Sequence, residues 1–90
     1  MSLDNVMFIE RYPKLDLHGE TRETARVRIQ EFIRDNIKLK QNIVVIVHGV
    51  GSGVIRKTTW EVLKQNKNVL DYKTYYYNNG CTIAELKIDF

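Results

Sequence analysis

The clearest evidence for the fold class is in residues 43–53. Their sequence is Ile-Val-Val-Ile-Val-His-Gly-Val-Gly-Ser-Gly. Its first five residues are all β-branched, which predicts a strand that is covered on both sides or central in its sheet. The glycines that follow predict a turn. A helix is expected from about Val54 to Asn66, because apolar residues there recur at helical spacing. A strand, a glycine-rich turn and a helix in this order are typical of α/β domains.

The sequence before this stretch has the same strand-to-helix order. Lys14–His18 alternates apolar and polar residues, as a short half-buried strand does, and Gly19 ends it. Thr21 can cap a helix that extends to about Leu39, since the apolar residues of this segment recur at helical spacing. They are Ala25, Ile29, Phe32, Ile33 and Ile37.

The C-terminal part of the chain predicts a β-hairpin. Val69–Tyr77 and Cys81–Ile88 are the predicted strands, and Asn78-Asn79-Gly80 is the tight turn between them. The element order is therefore β-α-β-α-β-β. We expect an α/β two-layer sandwich in which a four-stranded mixed sheet carries both helices on one face. This domain spans residues 14–90, and residues 1–13 are expected to form a loose N-terminal arm.

The composition is that of an ordinary globular domain. Of the 90 residues, 43% are hydrophobic and 28% are charged, which argues against a disordered chain and against a membrane protein. The single cysteine, Cys81, excludes an internal disulfide and a cysteine-rich zinc site, and it favours a reducing compartment. Since the first ten residues lack a signal-peptide pattern, we expect a cytoplasmic protein without a membrane partner.

The net charge of +3 permits an anionic partner without requiring one. Residues 56–67 contain four basic residues, Arg56 and Lys57 among them, and one acid, Glu61, so a charge of +3 falls within these twelve residues. Helix surfaces of small basic proteins also have this composition by chance. The placement of the charge therefore supports an anion-binding surface only together with other features.

The glycine-rich turn at residues 49–53 is the most informative local feature. Such a turn presents backbone N–H groups at a helix N-terminus, where unsatisfied donors and the helix dipole favour phosphate. It does not fit a dinucleotide fingerprint, because its third glycine comes one place early. It does not fit a P-loop either, because Arg56 stands where the second glycine belongs. The alternative is a plain turn with positive φ angles, although three glycines in five residues exceed what turns usually need.

Two histidines mark the ends of the first two predicted strands. His18 and His48 are each followed by glycine, and ligands of open parallel sheets bind at the carboxyl ends of strands. Asp16 shares a strand face with His18, so it can orient that ring or hold a metal-bound water. If the two strands are neighbours, these three side chains converge beside the glycine turn. Two histidines and one aspartate can ligate a metal, but their spacing matches no standard zinc pattern.

Two motifs and the last predicted strand resemble a known family. Leu15-Asp16-Leu17-His18-Gly19 and His48-Gly49-Val50-Gly51-Ser52-Gly53 resemble the two signatures of the Smr (small MutS-related) domain, and Gly80–Leu86 resembles its last strand. The resemblance covers about residues 14–88. It implies a two-layer α/β fold like that of the C-terminal domain of a bacterial translation initiation factor. It also implies nucleic-acid binding and, in many members, endonuclease activity on DNA or RNA.

The resemblance also implies roles for individual residues. Asp16 and His18 belong to the motif tied to cleavage, and the second motif forms the loop near the phosphate. The chain departs from the family at Val50, where a basic residue is common, and at the shorter turn 78–80. The expected catalytic residues are Asp16, His18 and His48. The expected phosphate-binding residues are Gly19, Arg22, Gly49, Gly51, Ser52, Gly53, Arg56 and Lys57. Mg²⁺ or Mn²⁺ is a possible cofactor, with Asp16 as its ligand.

The sequence therefore favours a small nucleic-acid-binding domain with endonuclease activity. A first alternative is a non-catalytic module that binds nucleic acid or the ribosome, which needs the basic helix and the glycine turn but not Asp16 or His18. A second is a protein-interaction domain that uses a tyrosine cluster, although these tyrosines are expected in the sheet. The cluster consists of Tyr72, Tyr75, Tyr76 and Tyr77. Trp60 is expected to cap the small core, with Arg56 or Lys64 over its ring.

Overall fold

Four strands form one mixed sheet in the order β1-β2-β4-β3, in a computed structural model that describes Leu3, Val6 and residues 8–89. The elements are β1 (Lys14–Asp16), α1 (Arg22–Lys38), β2 (Ile43–Val47), α2 (Val54–Gln65), β3 (Val69–Thr74) and β4 (Cys81–Leu86). One turn of 3-10 helix at Ile9–Arg11 precedes them. Strand β1 pairs with β2 in parallel, and β4 is antiparallel to both of its neighbours, β2 and β3. The predicted element order and mixed sheet are confirmed.

Both helices lie on one face of the sheet, as the sequence predicts. Helix α1 begins at a capping box, in which the Thr21 hydroxyl accepts from the Thr24 N–H at 3.2 Å and the Thr24 hydroxyl accepts from the Thr21 N–H at 3.0 Å. Helix α2 begins directly after Gly53, whose φ of 84° is left-handed. The core between helices and sheet consists of Leu15, Leu17, Ala25, Ile29, Ile33, Val44, Ile46, Val62, Leu63, Ala84 and Leu86.

A second buried cluster covers the opposite face of the sheet. There Leu3 and Val6, which are 2% and 7% exposed, pack against residues of β2 and β4. These two residues are therefore packed on the sheet, because β2 and β4 are apolar on both faces and the second face needs a cover. The central position of β2 is confirmed. Outside the described residues lie Met1, Ser2, Asp4, Asn5 and Met7 of the predicted arm, and Phe90 at the domain's end.

Three strands are shorter than the sequence predicts. Strand β1 ends at Asp16 because its carboxylate accepts from the N–H of His18 and turns the chain. Strand β3 ends at Thr74, since two successive turns follow it: the carbonyl of Tyr75 accepts from the Asn78 N–H at 3.2 Å, and that of Asn78 from the Cys81 N–H at 3.1 Å. Strand β4 ends at 86 rather than 88.

The tyrosine cluster is divided between sheet and loop. Tyr72 lies in β3 and Tyr75 is buried next to it, but Tyr76 and Tyr77 are exposed in the β3–β4 loop. The expectation that all four belong to the sheet is thus wrong for the last three, since β3 ends at Thr74. None of the helices in the described part of the chain is long and apolar enough to cross a membrane.

Candidate functional site

Three connections meet at one edge of the sheet, which we call the site edge. Because β1 and β2 are parallel neighbours and the Leu17 N–H donates to the Val47 carbonyl at 2.9 Å, His18 and His48 follow paired residues at the same end of the sheet. The β3–β4 loop joins them there: the carbonyl of Gly80 accepts from the N–H groups of His48 and Gly49, both at 2.9 Å. The site edge therefore contains residues 16–21, 48–53 and 75–80.

The first motif forms a tight turn after β1. Its Asp16 Oδ1 accepts from the His18 N–H at 2.9 Å, while Arg28 Nη1 donates to the Asp16 carbonyl at 3.2 Å and to the Glu20 carboxylate at 2.9 Å. Hydrogen bonding to Thr24 and the charge and hydrogen bond of Arg28 lower the pKa of Glu20. The Asp16 and His18 side chains are exposed, and the His18 ring bonds to no other described residue. Both groups are therefore open to a ligand.

The ring of His48, by contrast, is hydrogen bonded at both nitrogens. Nδ1 lies 2.8 Å from the carbonyl oxygen of Gly49, and Nε2 lies 2.7 Å from Oγ1 of Thr82. A carbonyl only accepts, so Nδ1 carries the proton and Nε2 accepts from the Thr82 hydroxyl. The indole N–H of Trp60 donates to the same hydroxyl oxygen at 2.9 Å. Each group in this chain of three hydrogen bonds has a partner when His48 is neutral.

The surroundings of His48 also favour its neutral form. Burial lowers the pKa of the ring, the nearby charge of Arg56 lowers it further, and the hydrogen bond to Gly49 opposes both effects. With both nitrogens engaged, the ring is suited to holding the carbonyl of Gly49 in place. The geometry thus separates the two histidines that the sequence grouped together: His18 is open, and His48 positions the glycine turn.

The glycine turn presents free donors at the start of α2. Gly49 and Gly53 have φ angles of 77° and 84°, which non-glycine residues rarely adopt, whereas the φ of Gly51 is not in the left-handed region. The amides of 48 and 49 donate to Gly80, but those of residues 50–53 donate to no acceptor in the described part of the chain. Four consecutive N–H groups without an acceptor therefore precede a helix N-terminus, the arrangement that binds phosphate.

The predicted basic residues differ in their contacts. Arg56 Nη2 donates to the Thr74 hydroxyl at 2.9 Å, and its guanidinium lies 5.7 Å from the ring centre of Trp60. Lys57 and Arg22 are exposed and form no hydrogen bond or ion pair with a described residue. Trp60 is half-buried and packs edge-on against Tyr72, with ring centres 4.9 Å apart, as expected of a ring that caps the core.

The described residues contain no group of three or more His, Cys, Asp or Glu side chains that could hold a metal ion. Asp16, His18 and His48 therefore do not form the three-ligand site that the sequence left open.

Sequence reasoning missed three contributors to the site edge. Thr82 and Trp60 were assigned to a strand and to the core, yet their side chains hold the His48 ring. Gly80 was placed in a turn, yet its carbonyl holds the backbone of the second motif. A Cβ on Gly80 would lie 3.2 Å from the Cα of Gly49, so glycine allows the two loops to approach. A polar residue among the apolar residues of 81–84 was the available signal for Thr82.

Comparison with known proteins gives a consistent family and fold. The Smr domain family matches residues 15–87. Endonuclease MutS2 of Lactobacillus helveticus is 33% identical over 79 residues, covering 84% of this chain and 10% of that protein. Endonuclease MutS2 of Ligilactobacillus salivarius is 40% identical over 68 residues, covering 76% of this chain and 9% of that protein. The chain thus spans about a tenth of the length of these relatives.

Two solved structures share the fold. The Smr domain of Thermus thermophilus MutS2 superposes with a TM-score of 0.81 at 23% identity, covering 83% of this chain and 98% of that one. YdaL, a stand-alone small MutS-related protein from Escherichia coli, superposes with a TM-score of 0.80 at 23% identity, covering 84% and 67%. At this level of identity the likeness supports the two-layer α/β fold.

Proposed function

The chain belongs to the Smr domain family, and from that premise we propose that it binds nucleic acid at the site edge and cleaves phosphodiester bonds there. The observation that carries the proposal is the row of four unpartnered N–H groups at 50–53, at the same end of the sheet as the open side chains of Asp16 and His18. Relatives named endonucleases support the same reaction class. A shallow edge between loops also suits a polymer better than a buried metabolite.

Phosphate binding follows from the donors of the glycine turn. The N–H groups of 50–53 and the N-terminus of α2 attract an oxyanion, and the Lys57 ammonium adds a charge one turn into the helix. Arg56 contributes its charge from a fixed position, because Thr74 and Trp60 hold its guanidinium. These groups would also stabilise the charge that develops on the phosphoryl oxygens in the transition state.

Proton transfer is assigned to His18. A neutral imidazole has one nitrogen that accepts a proton and one that donates, so it can take a proton from the attacking water or give one to the leaving oxygen as the phosphorus–oxygen bond breaks. Asp16 fixes the backbone at His18 through Oδ1, and its other oxygen can orient the attacking water. A divalent ion held by Asp16 would supply further charge at the phosphate. His48 acts through Gly49 as a positioning residue.

A second candidate is a nucleic-acid-binding module without cleavage activity. The observation that favours it is the engagement of both His48 nitrogens, which leaves His18 as the one open imidazole among the described residues. Cleavage that requires a separate general acid and general base would then lack one of them. The two candidates share the phosphate-binding surface and differ only in turnover.

A cleavage assay separates the two candidates. Labelled branched DNA, single-stranded DNA and structured RNA are incubated with the protein, with Mg²⁺, with Mn²⁺ and with a chelator. Asp16→Asn keeps an acceptor for the His18 N–H, and His18→Ala removes the open imidazole, so both variants should bind substrate and lose cleavage. Asp35→Asn, an exposed charge change on α1, is the control. Binding without cleavage by the unaltered protein selects the non-catalytic module, and absence of binding to every substrate rejects the proposed function.

A further inference from the structure

Tyr76 and Tyr77 form an exposed aromatic pair in the β3–β4 loop. Their side chains are 85% and 65% exposed, and their ring centres lie 4.9 Å apart at an interplanar angle of 83°. Tyr77 also packs on the ring of buried Tyr75, 5.6 Å away at 64°. The loop is fixed by hydrogen bonds at 75, 78 and 81. The two outer rings therefore project from an anchored base instead of a free loop.

Tyr75, on whose ring Tyr77 packs, shares an edge and a face of the sheet with Asp16. Asp16 pairs with Val47, Val47 pairs with Cys81, and the carbonyl of Cys81 accepts from the Tyr75 N–H at 2.9 Å. Residues that are paired in a row across neighbouring strands point to the same face of the sheet. For this row it is the face away from the helices, where Tyr75 and Cys81 are buried. Three strand spacings, about 14 Å, separate Asp16 from Tyr75.

The glycine turn lies between these two points. It follows β2, which is between β1 and β4 in the sheet, and its residue Gly49 is bonded to Gly80 of the tyrosine loop. A ligand that crosses the site edge from the Asp16 side to the tyrosine side therefore passes the four free N–H groups. This order of contacts would bind a ligand that has phosphates in its middle and flat, apolar groups at one end.

We propose that Tyr76 and Tyr77 are a stacking platform for unpaired bases of a single-stranded DNA or RNA segment whose backbone crosses the glycine turn. This inference rests on the proposed function and adds a substrate class to it. Aromatic rings stack on any base, but only where the base face is not covered by its neighbours in a duplex. The platform therefore directs the domain to single strands and to the unpaired parts of branched substrates.

The test measures binding by fluorescence anisotropy at fixed low salt. The probes are a labelled single strand of DNA, its RNA counterpart, the corresponding duplexes, and a strand of equal length whose residues are abasic and retain only the phosphates. The variants are the doubly substituted Tyr76→Ser, Tyr77→Ser protein and the matching Tyr76→Phe, Tyr77→Phe protein. Leu70→Ser is the control, because it removes an exposed apolar side chain from the far end of β3.

The unaltered protein should bind the single strand more tightly than the duplex or the abasic strand. The serine variant should lose affinity for the single strand by roughly tenfold or more per ring, and should bind the abasic strand as the unaltered protein does. The phenylalanine variant and Leu70→Ser should keep full affinity. Absence of binding by the unaltered protein rejects this inference and the proposed function together.

If the unaltered protein binds and the serine variant matches it on the single strand, the platform is rejected while the proposed function stands. That result would instead fit tyrosines that contact another protein. An equal loss of affinity on the single strand and the abasic strand also rejects stacking, because it shows that the substitutions act on the phosphate-binding loop.

Discussion

The Thr82 hydroxyl oxygen lies 2.7 Å from Nε2 of His48 and 2.9 Å from Nε1 of Trp60. One side chain of β4 thus connects the end of β2 to the middle of α2. Thr82 is fully buried, so water cannot replace it as a partner for either ring. The His48 ring in turn bonds to the carbonyl of Gly49, so the position of the glycine turn depends on this buried hydroxyl.

Thr82→Val removes the hydroxyl at nearly constant volume and leaves Trp60 Nε1 and His48 Nε2 without a partner. We expect a loss of about 2 kcal/mol in the free energy of unfolding, the range for buried polar groups that become unpaired. Urea unfolding monitored by circular dichroism measures it. Thr59→Val is the matched control, since Thr59 is equally buried but its hydroxyl bonds only to the Ile55 carbonyl of its own helix. Equal losses in the two variants would contradict the role of Thr82.

Trp60→Ala should lower the free energy of unfolding by about 3 kcal/mol, because it removes the edge-on contact with Tyr72 and the surface under Arg56. Trp60→Phe keeps a ring and loses the N–H, so its loss should be smaller and close to the value of one hydrogen bond, about 1 kcal/mol. Urea unfolding of the two variants provides the comparison. An alanine variant as stable as the unaltered protein would show that the ring does not cap the core.

The stability of the fold should fall in mildly acidic solution because of His48. Its folded-state pKa is below the ordinary value of about 6.5, so above that pH the ring is neutral in both states and the contribution is fully present. As the pH falls from the unfolded value toward the lowered folded value, the unfolded chain takes up a proton that the folded ring resists, and stability is lost.

The His48→Gln variant lacks this titration and is the reference for it. We expect the free energy of unfolding of the unaltered protein, minus that of His48→Gln, to decrease as the pH is lowered below about 6.5. Every other group is common to the two proteins, so its contribution cancels in the difference. An increase over the same interval would mean that the folded-state pKa of His48 is raised, contrary to the burial of its ring.

Substitution of Lys57 should affect nucleic-acid binding alone, whereas substitution of Arg56 should affect both binding and stability. Lys57→Ala removes a cation with no described partner, so it should reduce the slope of log affinity against log salt by about 1 and leave the unfolding midpoint unchanged. Arg56→Ala should lower both affinity and stability, because Thr74 and Trp60 lose a contact. Salt titrations of single-strand binding and urea unfolding measure the two effects. An unchanged slope in both variants would place the phosphates elsewhere.

How much of this could be predicted depends on whether a feature is local in sequence. The strand Ile43–Val47 and the cap at Thr21 followed from neighbouring residues, and both are confirmed. The placement of His18 and His48 at the same end of the sheet followed from one assumption, that β1 and β2 are adjacent, which is confirmed. The contact between His48 and Thr82 spans 34 positions, and it exists only because β4 inserts between β2 and β3. No local pattern specifies that insertion, so the engagement of the His48 ring could not be predicted.

The glycines of the turn should differ in what they contribute. Gly53 has a φ of 84° and Gly51 has no left-handed φ, and a Cβ at either position would meet no atom within 4 Å. Gly53→Ala is therefore strained by its backbone alone and should lose about 1 kcal/mol of unfolding free energy, whereas Gly51→Ala should unfold as the unaltered protein does. Urea unfolding of the pair tests this difference without reference to any ligand.

In a binding assay the order of the two variants should be reversed: Gly51→Ala, the milder variant in unfolding, should have the larger effect on affinity. Gly51 lies in the middle of the four free N–H groups, and a methyl group there would stand between those donors and a phosphate that approaches them. Gly51→Ala should therefore lose affinity for single-stranded DNA while its stability is intact, a combination that a purely conformational glycine does not produce. If Gly51→Ala retains full affinity and Gly53→Ala is destabilised as expected, the glycines of this turn serve its backbone geometry, and the phosphate site must be sought among the side chains.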